Sequence, residues 1–325
     1  MRPFKYAKTS SPSAAISAVA ANAAARYIAG GTNLIDLMQD TVESPQLVVD
    51  INALPYGAIA RESSFIRIGA LARMSDTADH AAVKSAAPVV SEALDASASA
   101  QLRNQASIGG NLMQRTRCAY FRDVATACNK RELGQGCAAI RGENRMHAIL
   151  GTSAKCICVH ASDLAVALLA TDALIRVRGR GGERTIPIGE FHMLPGETPA
   201  LETALRHGEL ITAVDIPLSR VAAHSRYLKV RDRMSYEFAL VSVAAALDVE
   251  GGRIRDARLA LGGVAPVPWR ARDAERSLIG APATPASFAR AAEVALSGAR
   301  GYGHNDFKIP LARRTIVRAL SQVVA

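Results

Sequence analysis

The sequence is short of the residues and patterns that mark several large classes of protein. It holds a single tryptophan, and aromatics make up 5% of its 325 residues. That is too few to supply the stacking platforms, interleaved with cations, that single-strand nucleic-acid binders use. No run approaches the roughly 18 consecutive apolar residues of a membrane-spanning helix. The most apolar stretch, Leu164 to Ala170, gives way at once to Thr171 and Asp172. Neither the GxGxxG spacing of a Rossmann turn nor a Walker A loop occurs, and no Ser, Cys or His constellation suggests a hydrolytic triad. Cysteine is scarce and odd in number, five in all, which argues against a secreted fold stapled by disulfides. With 14 prolines, 21% charged and 49% apolar residues, the chain is neither disordered nor of low complexity.

Two features are concentrated instead. Subtracting 29 acidic from 39 basic residues gives +10, a balance that suits nucleic acid, an anionic membrane or an acidic protein partner. The cysteines, Cys118, Cys128, Cys137, Cys156 and Cys158, all fall within one-eighth of the chain. Residues 103–145 carry eight basic and three acidic side chains, so about half the net charge surrounds the thiols. The cysteines are separated by ten, nine, nineteen and two positions. No C-x-x-C step occurs, so neither zinc-ribbon nor two-cluster ferredoxin spacing fits. On the residues alone an iron–sulfur cluster, a zinc site and incidental buried cysteines all stay open, in that order of preference.

The length predicts two or three domains. Ser11 and Pro12 form an N-cap and N1 pair, and Ile16, Val19, Ala20 and Ala23 keep helical spacing. The Ala-rich N-terminus therefore reads as an amphipathic helix rather than a signal peptide. Strands at 26–29 and 47–51, with a helix from Leu34 between them, make a small α/β unit. A strand at 65–71 and helices over 76–95, broken at Pro88, come next. Residues 101–160 read mainly as ordered loop, and a loop that long needs an organiser, which a metal cluster would supply. Then follow a buried helix at 163–173, a hairpin of 174–178 with 185–188, a strand at 209–217 and a connector at 221–225. The last region carries long strands at 238–249 and 254–261 joined at Gly251-Gly252, with helices at 285–296 and 311–322.

Ala29-Gly30-Gly31-Thr32-Asn33-Leu34 lies between a strand and a helix, where glycines admit a ligand to the backbone and the N–H groups beyond them suit a pyrophosphate. A tight turn is the plainer reading. Ser107-Ile108-Gly109-Gly110-Asn111-Leu112 repeats the arrangement, and two such elements favour a large anionic cofactor over two unrelated turns. Asp163 either caps its helix or accepts a hydrogen bond from a cofactor hydroxyl. Lys229, in the mixed charge run 227–233, is a solvated lysine unless it faces a cleft, where it would stabilise negative charge on a reduced ring. His147, His160, His192 and His207 lack ligand spacing and read as structural or surface residues.

AGGTNLIDLM at 29–38, SIGGNL at 107–112, CAYFRD at 118–123, CNKRELGQGC at 128–137 and HASDLAVAL at 160–168, with YLKVRDRMSYEFALVSVA at 227–244 and LALGGVAPVPWRA at 259–271, resemble the FAD-binding subunit of xanthine dehydrogenase-type molybdenum hydroxylases. The cysteine motifs narrow the resemblance to the periplasmic aldehyde oxidoreductase branch, whose flavoprotein holds an additional [4Fe-4S] cluster. The resemblance implies an α+β fold. A two-subdomain FAD-binding domain of the PCMH or vanillyl-alcohol-oxidase-like kind would span 1–55 and 56–220, with the [4Fe-4S] loop at about 113–158, and a smaller α+β domain would follow at 221–325.

It also implies a heterotrimer. A large partner would hold molybdopterin and oxidise an aldehyde or N-heterocycle. A small partner with [2Fe-2S] clusters would feed electrons to FAD here, and FAD would deliver them to a small-molecule acceptor. By resemblance, Ile28, Ala29, Gly30, Gly31, Thr32, Asn33 and Leu34 wrap the FAD pyrophosphate, while Ser107, Ile108, Gly109, Gly110 and Asn111 contact the cofactor from the second subdomain. Asp163 binds its ribityl or pyrophosphate region, Ile211 lies against the flavin, and Lys229 approaches the pyrimidine edge. Cys118, Cys128, Cys137 and Cys156 are the cluster ligands, and no side chain is itself catalytic. Cys158 departs from the four-cysteine pattern and stands where it can exchange roles with Cys156. The rival reading is a basic zinc-binding nucleic-acid module. Without a signal of its own, the chain is expected either in the periplasm, exported with a signal-bearing partner, or in the cytoplasm.

Overall fold

Ser11 accepts a hydrogen bond from the Ala14 N–H at 3.3 Å, and with Pro12 behind it starts the helix Pro12–Ala20. That helix carries the chain from β1 (Lys5–Lys8) to β2 (Ala25–Ile28), and the helix Leu34–Gln39 carries it on to β3 (Leu47–Asp50). The three strands form a parallel sheet in the order β1-β3-β2. Parallel pairing requires such crossovers. Ala15, Ile16, Val19, Ala25 and Val49 fill the small core beneath. The computed structural model describes residues 1–325.

The second sheet contains β4 (Ile59–Arg61), β5 (Phe65–Gly69), β6 (Leu174–Gly179), β7 (Gly182–Pro187) and β8 (Leu210–Pro217), ordered β4-β5-β8-β6-β7 and antiparallel throughout. β6 and β7 meet through a two-residue turn, with Gly179 paired to Gly182. The helices Pro88–Asp95 and Asp163–Ala170 belong to its core, and every residue of the latter is buried. A helix apolar on all sides sits inside a protein, and this one is covered by the third sheet as well as the second.

That third sheet, ordered β12-β11-β10-β9, consists of β9 (Ser225–Val230), β10 (Val241–Glu250), β11 (Arg253–Gly262) and β12 (Trp269–Arg270). Along β10, Val241, Val243, Ala245 and Leu247 join a core with the helices Arg272–Leu278, Pro285–Ala295 and Lys308–Val324. Ala244 on β10 and Ala260 on β11 instead join the core around Asp163–Ala170. Alternation puts successive side chains on opposite faces, so a sheet buried on both sides reads as an unbroken apolar run, with alanine where a helix approaches closely.

Several expectations are corrected. The 221–225 connector is the short helix Arg220–Ala223, and β9 follows it unannounced. The strand placed at 238–249 starts only at Val241, because residues 231–240 leave the sheet. Arg272–Leu278 is an additional helix. Within 101–160 the chain forms the short helices Ala100–Gln105, Ile108–Leu112 and Ala119–Arg122 and a 3-10 turn at Ala138–Ile140, and is otherwise irregular. No helix is long and apolar enough to cross a membrane.

Candidate functional site

Between the first sheet and the two larger ones runs a cleft of about 860 Å³, near the upper end of the range for small-molecule sites, roughly 300–1,000 Å³. Residues 28–34 form one wall. The backbone N–H groups of Gly30, Gly31, Thr32, Asn33 and Leu34 have no hydrogen-bond partner in the chain. Successive free N–H groups on a concave surface form a nest for an anion, so the donor set fits a pyrophosphate.

The four glycines of the two motifs divide by task. A Cβ on Gly30 would stand 2.2 Å from the Gln105 carbonyl oxygen, and one on Gly109 would stand 3.0 Å from Ala70 Cβ. These two let chain segments meet. Gly31 has φ +74°, a left-handed turn favouring glycine. A Cβ on Gly110 would meet only Ser107 Oγ, at 2.9 Å, and Gly110 faces the cleft. Gly110→Leu is therefore expected to weaken FAD binding about tenfold or more, roughly 1.4 kcal/mol, while the flavin-free chain melts close to the wild-type temperature. Fluorescence titration of stripped protein measures the first effect and calorimetry the second.

Ser107 Oγ accepts from the Gly110 N–H at 3.2 Å and starts the helix Ile108–Leu112. The Ile108 side chain is fully buried in the central core and does not line the cleft. Asn111 does line it, accepting at 2.5 Å from Ser162 Oγ. Ser162, not Asp163, caps the next helix, accepting from the Ala165 N–H at 3.0 Å.

Asp163 and Lys229 both reach the cleft, but as one ion pair of 2.8 Å with side chains 7% and 3% exposed. Asp163 also accepts from the Tyr227 hydroxyl at 2.6 Å and from Ser97 Oγ at 3.1 Å, while Lys229 donates to the Ala96 carbonyl at 3.1 Å. Lys229 thus faces the cleft rather than solvent, and does so paired. It presents a nearly neutral pair, and its place on β9 rather than in a solvated run explains why. Ile211 on β8 lines the cleft beside a register shift between Arg176 and Val177 of β6.

The sequence reading missed a second part of the cleft. Lys130 donates to Glu202 at 2.7 Å and to the Pro199 carbonyl at 2.9 Å. Arg115 joins the same carboxylate to Glu43. Burial works against both charges of the Lys130–Glu202 pair, yet Cys158 and Glu202 around Lys130 push its ammonium up to about 12, and Lys130 and Arg115 hold the Glu202 carboxyl below its ordinary value. His160 and His192 pack with ring centroids 4.2 Å apart and planes tilted by 54°, and also line the cleft. Burial holds His192 down at about 4 and His160 well below its ordinary value, so both are neutral. No local pattern joins Lys130 to Glu202, 72 positions away; the nearest signal was Lys130 inside the quoted cysteine motif.

All five cysteines, each a free thiol, line one small pocket next to this corner. Cys128 and Cys137 face each other across an antiparallel bridge, and Asn129 Oδ1 accepts from the N–H groups of Gly134 and Gly136, at 3.0 and 2.9 Å. Asn129 Nδ2 donates to the Lys155 carbonyl at 3.0 Å, beside Cys156. Arg131 donates to the carbonyls of Tyr120, Phe121 and Thr126, beyond Cys118. Protein hydrogen bonds thus organise the segment, in addition to any metal. His147 Nε2 lies 3.1 Å from Cys118 Sγ. Burial pushes the Cys118 thiol up to about 12, whereas the hydrogen bond from Cys156, with Lys130 nearby, holds Cys158 down.

The donor set, thiols without carboxylates, is the soft kind that iron–sulfur clusters and zinc take. No three His, Cys, Asp or Glu side chains are gathered as ligands of a single ion, as a tetrahedral zinc with its ligands at about 2.3 Å would have them. The surrounding basic residues are themselves paired: Arg117 and Arg122 with Asp36, Arg115 and Lys130 with Glu202, Arg145 with Asp232. Much of the local positive charge is thus paired with carboxylates from elsewhere in the chain.

Residues 2–219 match the FAD-binding domain of molybdopterin dehydrogenases, and residues 226–323 match the CO dehydrogenase flavoprotein C-terminal domain. The chain is 44% identical to the aldehyde oxidoreductase FAD-binding subunit PaoB of Escherichia coli K12, over 100% of this chain and 99% of that one. It is 28% identical to the glyceraldehyde dehydrogenase medium chain of Sulfolobus acidocaldarius, over 85% of this chain and 81% of that one. Among solved structures, carbon monoxide dehydrogenase of Hydrogenophaga pseudoflava shares the fold with a TM-score of 0.78 at 24% identity, covering 100% of this chain and 99% of that one. The nest of free N–H groups, the cleft and the full-length matches agree: the chain belongs to the molybdenum hydroxylase family of oxidoreductases, as an FAD-binding subunit.

Proposed function

We propose that this chain is the FAD- and [4Fe-4S]-containing electron-transfer subunit of a heterotrimeric molybdenum hydroxylase that oxidises an aldehyde. A large partner holds molybdopterin, a small partner with [2Fe-2S] clusters passes electrons on, and a small-molecule acceptor receives them here. The convergence of five cysteines on one pocket beside the cleft carries the reading. The full-length relative named an aldehyde oxidoreductase subunit supports the substrate class.

FAD, when bound, exchanges electrons singly or in pairs. The chain's own residues do the rest. The N–H groups of Gly30 to Leu34 hold the pyrophosphate, Gly110 leaves room for it, and Ile211 gives the ring an apolar contact. The Asp163–Lys229 pair offers polar edges without a net charge. Cys118, Cys128, Cys137 and Cys156 would hold the cluster as thiolates, releasing their protons when it binds.

Purified protein is expected to show a flavin spectrum overlaid by broad iron–sulfur absorption, with about four irons per chain as a cubane site requires. Stoichiometric zinc without flavin would sink the reading. Steeply salt-dependent retention on DNA or RNA would instead favour a nucleic-acid module, for which the paired arginines around the cysteines give no support.

A further inference from the structure

Lys130 is the one residue that lines both the large cleft and the cysteine pocket. Its side chain is 5% exposed, and its ammonium donates to Glu202 and to the Pro199 carbonyl. The third N–H finds no partner in the chain. A lysine stem threaded through a wall and tied at its tip to a carboxylate has little freedom to move, so its charge is fixed in position. Glu202, which anchors it, itself lines the cleft and is shared with Arg115.

We propose that Lys130 is a positioning residue for electron transfer, its buried positive charge acting at once on the flavin in the cleft and on the cluster in the cysteine pocket. The inference rests on the function proposed above. Each electron that leaves the reduced cluster is gained by the oxidised flavin. Lys130 forms and breaks no bond and keeps its protons. A fixed cation between the two centres stabilises the more negative, reduced form of each, because charge interactions act strongly across a poorly solvated wall. Glu202 acts on both with the opposite sign, and the distance between the two charges leaves each centre with a residual field.

The sign of the effect separates this role from a structural one. Anaerobic spectroelectrochemical titration of the FAD- and iron-loaded protein follows the flavin and iron–sulfur bands separately. Lys130→Met is expected to lower both midpoints, with about a tenfold change in each reduction equilibrium, which is about 59 mV for a one-electron couple and about 30 mV for a two-electron one. Glu202→Gln is expected to raise both, and Lys130→Arg to leave both near wild type. Shifts of the same sign in Lys130→Met and Glu202→Gln, or shifts at one centre only, or no shifts, overturn the proposal. Should Lys130→Met not retain its cofactors, a failure of both midpoints to rise in Glu202→Gln is decisive against it. Wild-type protein without iron defeats the cluster reading, and this proposal with it, by metal analysis alone; with iron present, the titrations test the role of Lys130 by itself.

Discussion

Cys128→Ser is expected to remove the iron from this protein and leave its FAD in place. Cys128 is buried at the base of the 128–137 loop, where it faces Cys137 across the bridge. A serine hydroxyl fits the same space but is a poor ligand for iron in a sulfur-rich cluster. The loop itself stands, because Asn129 holds Gly134 and Gly136 without help from the thiol. Nothing in the cleft changes, since Cys128 does not line it. Colorimetric iron should fall from about four per chain to a small residue, while flavin released by acid stays near one per chain. Full iron in this variant would overturn the ligand assignment. The same assay on Cys156→Ser and Cys158→Ser assigns the fourth ligand; the reading here expects Cys156→Ser to lose iron and Cys158→Ser to retain it.

Lys229→Met should destabilise the chain by about 3–5 kcal/mol, because removing one member of a buried pair strands the other. Asp163 would keep only the hydroxyls of Tyr227 and Ser97 as donors. Adding Asp163→Asn should recover a large part of the loss, since an amide in that position carries no charge to strand. Urea unfolding of the flavin-free single and double variants measures both. A double variant no more stable than Lys229→Met would show that the loss comes from packing, not from the stranded carboxylate.

What the sequence made legible, and what it hid, follows from the range of the interactions involved. The two glycine motifs are local: a Gly-Gly pair between a strand and a helix demands close approach or a left-handed turn whatever surrounds it, and Gly31 and Gly110 meet that demand at the cleft. Even so, the motif alone does not tell a ligand from a neighbouring segment, and Gly30 is spent on Gln105. Asp163 and Lys229 were both singled out, yet their bond joins residues 66 positions apart, and no local pattern announces it. β9 was hidden for the same reason. Its SRYLKV run looks like charged surface until Glu92 takes the Tyr227 N–H and Asp163 takes the Tyr227 hydroxyl. The concentration of cysteines was legible as a count. The hydrogen bonds of Asn129 and Arg131 that bring four separate stretches together were not, since they end on backbone carbonyls and amides, which carry no sequence signature.

The stretch between Cys137 and Cys156 is anchored just beyond β11 and at the start of the helix Lys308–Val324. The N–H groups of Ile149 and Leu150 donate to the Val264 carbonyl, while Asn305 and Lys308 both donate to the carbonyl of His147, the residue beside Cys118. Lys308 itself is fully buried and donates to the Gly263 carbonyl as well. The segment that bears the cysteines is thus held by the core of the third sheet, which takes in Ile149 and Leu150, as well as by its own hydrogen bonds. A change at the start of Lys308–Val324 is therefore felt in the cysteine segment, 161 positions earlier in the chain.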